Sequence, residues 1–257
     1  MTEQIATSRT EGGGIRARKR RVLALLAARP TTAALAEWLA AQPPAELVDP
    51  LIAALFHTDE ELHWRAVEGL GLVVVRLAEQ ELEAARVVIR RLMWSLNEES
   101  GGIGWGAPEA MAEILARHPG LATEYCHIFL SYLRADGAER WQHGNFLEHE
   151  GLQRGLLWGL ARLRRARPAL VGAADIAPEV IAFLASPDPT VRGFAARCLG
   201  LLAAREARAA LQPLCQDTAS ISLWQDGRLQ SATVAALAAE ALARLDTDAV
   251  SVAGERS

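Results

Sequence analysis

Lysine is nearly absent from this chain of 257 residues: it occurs once, at Lys19, and arginine supplies every other basic side chain. With so much alanine alongside, that bias reads as coding-genome composition, so individual arginines are not taken as selected phosphate ligands. Aromatics make up only 5% of the residues, and strand formers are scarce beside Ala and Leu, which excludes an extensive sheet. The three cysteines, Cys126, Cys198 and Cys215, are far apart, form no CxxC and show no metal-ligand spacing. Each lies in an apolar helical context and reads as a buried structural thiol. No apolar run approaches the roughly 18 residues that cross a bilayer. The N-terminus is polar and then basic, without the apolar core of a secretory signal, so the expected compartment is the cytoplasm. Nucleophile and metalloprotease signatures (GxSxG, HExxH) are missing too. Cys126 and His127 are neighbours in sequence, but on a helix their side chains diverge by about 100°.

What is present is helical periodicity with a repeat. The clearest unit is Pro187-Asp188-Pro189-Thr190-Val191-Arg192-Gly193-Phe194-Ala195-Ala196-Arg197-Cys198-Leu199-Gly200, which follows the apolar run Val180-Ile181-Ala182-Phe183-Leu184. Aligned on Gly200, degenerate copies end at Gly71, Ala112, Ala161 and Ala238. Their spacing of about 40 residues suits one helix pair per repeat. First helices of each pair are expected near 46–57, 80–96, 120–134, 177–185 and 206–216. Second helices are expected near 62–78, 103–117, 148–167, 190–204 and 228–245. Pro108, Pro178 and Pro189 lie near helix starts, where a missing N–H costs nothing. A further helix at 31–41, opened by Thr31-Thr32 and closed by Pro43-Pro44, caps the stack.

The unit at 187–200 resembles the HEAT-like repeat of the phycobilin-lyase type, in which small residues let paired helices pack closely. Over about 46–245 the chain resembles bacterial HEAT-like repeat proteins, some carrying a similar acidic-glycine-tryptophan segment. The resemblance implies an all-α fold, an α-solenoid of about five helix pairs over residues 15–245, with disordered ends at 1–14 and 246–257. It also implies that second helices line a concave side, with the turns between paired helices along one edge.

One of those turns is more elaborate than a connection requires: Asn97-Glu98-Glu99-Ser100-Gly101-Gly102-Ile103-Gly104-Trp105-Gly106-Ala107-Pro108-Glu109. Its glycines suit positive φ or close backbone approach, and Asn97 or Ser100 suits a helix cap. Its carboxylates and tryptophan equally suit a surface that grips a basic peptide, with Trp as anchor. The adjacent acids and the lack of a following Lys-Ser/Thr argue against a phosphate cradle. The longer loop 136–145 also carries polar and aromatic groups. The expected partner-binding set is Trp94, Asn97, Glu98, Glu99, Gly101, Gly102, Trp105, Glu109, His149, Glu150 and Trp158.

Three functions compete. The first is a non-catalytic adaptor binding a protein partner through this acidic, Trp-bearing edge, with no cofactor. The second is a metal- or cofactor-handling accessory or enzyme on the same edge. The HEAT-like deoxyhypusine hydroxylases build di-iron sites from repeated His-Glu pairs, but this chain has one such pair, His149-Glu150. The aligned His63-Trp64, Gly104-Trp105 and Arg192 break the pattern, leaving at most a mononuclear set of His143, His149 and Glu98. The third is nucleic-acid binding, as in the HEAT-like DNA-alkylation glycosylases. Trp94, Glu98, Arg154, Trp105 and Trp158 imitate their residue types, yet the net charge of −4 and the acids between Glu98 and Glu150 oppose a duplex. The basic run Arg16, Arg18, Lys19, Arg20 and Arg21, followed by Val22–Leu26, reads as an amphipathic terminal helix.

Overall fold

The computed structural model describes residues 3–97, 103–135, 145–172 and 175–254, with side chains from 14 to 247 within those stretches. The fold is of the α-solenoid class: helix follows helix in pairs, interrupted among the described residues by one two-stranded hairpin. The chain divides into two compact units, Met1–Arg91 and Leu92–Ser257.

In the first unit, α1 (Glu3–Ala27) and α2 (Thr32–Ala40) precede the pair α3 (Pro44–Ala54) and α4 (Glu60–Gln80), with α5 (Leu82–Ser95) beginning the next. Thr31 caps α2, its hydroxyl accepting from the Ala34 N–H, and Asp59 caps α4 by accepting from the Leu62 N–H. Leu35 and Leu39 of α2 meet Leu47 and Leu51 of α3 and Leu70 of α4 in a core closed to solvent. The basic run lies in α1. There Val22 and Leu26 are buried, Arg18 pairs with Glu46 at 2.6 Å, and Arg21 stands 5.9 Å over the Trp38 ring. The charges of Arg18 and Arg21 are thus engaged within their own unit.

In the second unit α6 (Ala107–Arg117) and α7 (Pro119–Ser131) are followed by α8 (Glu150–Ala166), α9 (Pro168–Gly172), α10 (Ala177–Ala182) and α11 (Pro189–Leu202). After the single turn α12 (Arg208–Leu211) come β1 (Ser220–Gln225), β2 (Arg228–Thr233) and α13 (Val234–Gly254). The second helices pack in series, α6 on α8, α8 on α11 and α11 on α13. Small residues make the crossings close. A methyl group added at Gly159 would stand 2.6 Å from the Ala112 Cβ, and one at Gly200 would stand 2.7 Å from the Ala241 Cα. Gly200 and Ala112 are anchors of the repeat pattern, so the small-residue alignment marks these helix contacts.

The last repeat departs from expectation. Residues 228–233, expected as the start of a second helix, form β2, paired antiparallel with β1 from Ser220↔Thr233 to Gln225↔Arg228. The two-residue turn Asp226-Gly227 has φ of 52° and 73°, the positive values that a hairpin connection matching strand twist demands. The helix starts only at Val234, capped by the Thr233 hydroxyl, which accepts from the Ala236 N–H. The preceding helix, expected at 206–216, is reduced to α12 between short 3₁₀ turns. At the chain ends, α1 starts at Glu3 and α13 reaches Gly254.

Candidate functional site

The edge singled out by sequence is built where α5, α6 and α8 begin or end. Gly104 packs so tightly on the last turn of α5 that an added Cβ would stand 2.5 Å from the Ser95 carbonyl oxygen. Gly106, with φ of 76°, then turns the chain into α6. This fold-back leaves Ile103 (42%) and Trp105 (38%) exposed. From α8, His149 meets the Trp105 ring edge-on, centroids 4.8 Å apart and planes 86° apart. The His149 Nδ1 accepts from the Gly151 N–H at 3.0 Å, capping α8. Gly151 lies directly under the indole, where any side chain would collide with the ring. The indole is therefore held on two sides and open on another. Glu148 and Glu150 are exposed beside His149, and Trp94, at the end of α5, is 58% exposed.

Two expected contact residues are not on this surface. Glu109 is buried, its carboxylate in the space left by the missing side chain of Gly155 on α8. Trp158 is buried as well, its Nε1–H donating to the Trp224 carbonyl of β1 at 3.0 Å. Helical period put both on the second-helix face; neighbouring α8 in one case and the hairpin in the other cover that face. Asn97 is exposed. Glu98, Glu99, Gly101 and Gly102 lie outside the described residues, as do Ser100, His143 and the loop residues 136–144.

The repeat alignment assigns structural work to several polar groups. Eight positions before three of the five anchors, a side chain reaches back to carbonyls of the preceding turn. His63 Nδ1 lies 2.8 Å from the Leu55 carbonyl, and Gln153 donates to those of Leu147 (2.8 Å) and Glu148 (3.3 Å). Arg192 donates to the Ser186 (2.8 Å) and Pro187 (3.0 Å) carbonyls, and also bridges forward to Asp217 at 2.6 Å. Buried Glu113 is held by Arg117 of its own helix and by Arg162 of α8 at 2.8 Å. Arg154 pairs with Asp188, which also caps α11 through the Thr190 (2.8 Å) and Val191 (3.0 Å) N–H groups. Burial pushes the Asp188 carboxyl up; Arg154 and the two amides more than offset this and hold it below its ordinary value.

Neither His149 nor a cysteine has a base or nucleophile partner among these contacts. Desolvation pushes the Cys198 thiol up to about 12 while it donates to the Leu157 carbonyl, the behaviour of a packed thiol. Among the described residues no three His, Cys, Asp or Glu side chains converge as a metal cluster, and no helix is long and apolar enough to cross a membrane. Sequence reasoning missed the hairpin and its docking on Trp158. The signal was present in the alternation of Ile221 and Leu223 with Ser220 and Ser222 ahead of Asp226-Gly227.

No family model matches the chain. An uncharacterised protein of Archaeoglobus fulgidus is 39% identical to it over 83 residues, 32% of this chain and 42% of that relative's length. Among solved structures, an engineered structural-genomics target is similar with a TM-score of 0.46 at 19% identity, covering 89% of this chain and 96% of the other. A second engineered protein gives 0.47 at 16% identity, with 84% and 90% coverage. A designed armadillo repeat protein gives 0.46 at 16% identity, with 83% and 91% coverage.

Proposed function

We propose that the chain is a non-catalytic, HEAT-like helical-repeat adaptor that grips a basic segment of a protein partner at the Trp105 edge. The observation that carries this reading is the setting of the indole. It is fixed by His149 and by the space over Gly151, yet remains 38% exposed. A large aromatic held in one orientation loses little entropy on binding, which is what an interface anchor needs. Ile103 and Trp94 extend the apolar surface, and exposed Glu148 and Glu150 supply negative charge beside it. Glu98 and Glu99, with Asn97, Gly101 and Gly102, precede Ile103 in sequence and add charge of the same sign. Glu109 and Trp158 support the edge from inside instead of touching the partner.

The test is affinity capture of partners on the full chain, followed by peptide mapping and titration of the mapped segment. Trp105→Ala is expected to weaken that segment at least tenfold, the loss of one hot-spot aromatic. Glu150→Gln is expected to weaken it less and to flatten the dependence on salt. A mapped segment that binds Trp105→Ala and wild type equally would place the interface elsewhere.

A further inference from the structure

Three positions before four of the five repeat anchors, the second helices carry Glu68, Glu109, Trp158 and Arg197, all buried. The repeat thus offers one inward position whose chemistry changes from helix to helix. Arg197 on α11 is the basic member, and it has no countercharge among the described residues. It is only 9% exposed, and its Nη2 donates at 2.6 Å to a neutral acceptor, the Gln225 side-chain oxygen at the end of β1. Its Nε is buried with no acceptor, and among the described residues no carboxylate lies within ion-pair distance of the guanidinium. Buried charges are ordinarily paired, because leaving one uncompensated is costly.

The charged groups around it deepen the imbalance. Arg165 of α8 and Arg244 of α13 repel it, whereas Glu240 attracts it, and burial together with the two arginines holds the guanidinium below its ordinary pKa. Glu240 is already bridged to Arg244 at 2.8 Å. Asp226 is exposed and meets only the nitrogen end of the Gln225 amide, at 3.2 Å. Arg165 is exposed and has no partner among the described residues. The close crossing of α11 and α13 brings the Arg244 Cδ within 3.4 Å of where a Gly200 side chain would begin.

We infer that the Arg197 guanidinium, with its buried Nε–H lacking an acceptor, binds one oxyanion group, a phosphate or carboxylate of a small ligand, with Arg165 and Arg244 adding positive charge around it. The planar fork of Arg197 supplies the directional contact, and Arg165 and Arg244 supply longer-range attraction. This site is independent of the Trp105 edge.

The experiment is thermal unfolding of the full chain in sodium chloride, with inorganic phosphate or malonate titrated in at matched ionic strength. A saturable rise is expected, about 3 °C at ten times the dissociation constant, and the anion that saturates at lower concentration identifies the group. Arg197→Met is expected to melt at or above wild type in chloride and to lose the rise. Arg165→Gln, at an exposed position, is expected to fold normally and to shift half-saturation at least threefold higher. The site is overturned if neither anion raises the melting temperature saturably, or if Arg197→Met keeps the whole rise. If Arg197→Met does not fold, the Arg165→Gln titration decides, and half-saturation equal to wild type overturns the site.

Discussion

A single methyl group is enough to disturb this protein at Gly200, because what stands opposite is backbone. An added Cβ would lie 2.7 Å from the Ala241 Cα, and no rotamer change relieves a clash with a Cα. Helices α11 and α13 would have to part along a crossing where Ala195, Ala196 and Ala238 are fully buried. Gly200→Ala is therefore expected to cost about 1–3 kcal/mol despite its better helix propensity, read as a lower urea midpoint. An unchanged midpoint would mean the crossing is looser than its distances imply. Gly200 was legible in the sequence as a repeat anchor, and Cys126 and Cys198 as packed thiols, whereas Cys215, expected buried with them, is only half-buried. The orientation of Glu109 and Trp158 was not. Helical spacing assigns a residue to a face, but the group that covers Trp158 is a carbonyl 66 residues away. A shorter separation, 28 residues, hid Arg197, which reads as one more helix-face arginine until Gln225 is placed against it.

At the scale of elements, capping chemistry made most helices legible. Thr31, Asp59 and Asp188 each accept from a first-turn amide, and Pro108, Pro178 and Pro189 sit in first turns as expected. The hairpin was not read, since its six-residue strands are short beside a 38-residue repeat spacing that placed a helix there. Local turn chemistry overrode the period: Asp226-Gly227 closes a two-residue loop that a helix cannot contain. The hairpin is also joined to the helices by the Trp158–Trp224 and Arg197–Gln225 bonds, so its loss would be felt on α8 and α11. Gly227→Ala forces a side chain into φ of 73°, at a cost of about 1 kcal/mol. The expected signature is a lower melting temperature with a changed near-ultraviolet tryptophan signal, because Trp224 and Trp158 shift together. A variant with lowered stability but an unaltered tryptophan signal would show that the hairpin and α8 are not coupled.

For the whole molecule, stability is set at the acid end by carboxylates whose folded pKa lies below the ordinary value. In the first unit, the Leu62 amide lowers Asp59 and the Arg90 guanidinium lowers Glu83. In the second, burial raises Asp188 and Asp217, but Arg154 with the helix amides and Arg192 with the Ala219 amide outweigh it. A group lowered on folding contributes stability above its unfolded pKa, 3.8 for Asp and 4.5 for Glu, and loses it as pH falls through the folded value. At the alkaline end the sign reverses. Desolvation raises the Cys198 thiol from 9.0 to about 12 and the Tyr132 phenol from 10.0 to about 12. The unfolded chain therefore ionises first, and stability falls as pH climbs past 9. Melting temperature is thus expected to hold a plateau between about pH 5 and 8 and to decline on both sides. Asp188→Asn tests the acid limb with one atom exchanged. It keeps a side-chain oxygen for the cap but loses the charge that Arg154 meets, so on the plateau it should sit below wild type by about 1 kcal/mol or less. Below the folded pKa the wild-type carboxyl is protonated and meets Arg154 no better than the amide does, so the two curves should converge. Curves that stay parallel down to pH 2 would assign the role of Asp188 to shape and hydrogen bonding, and the acid limb to the other carboxylates.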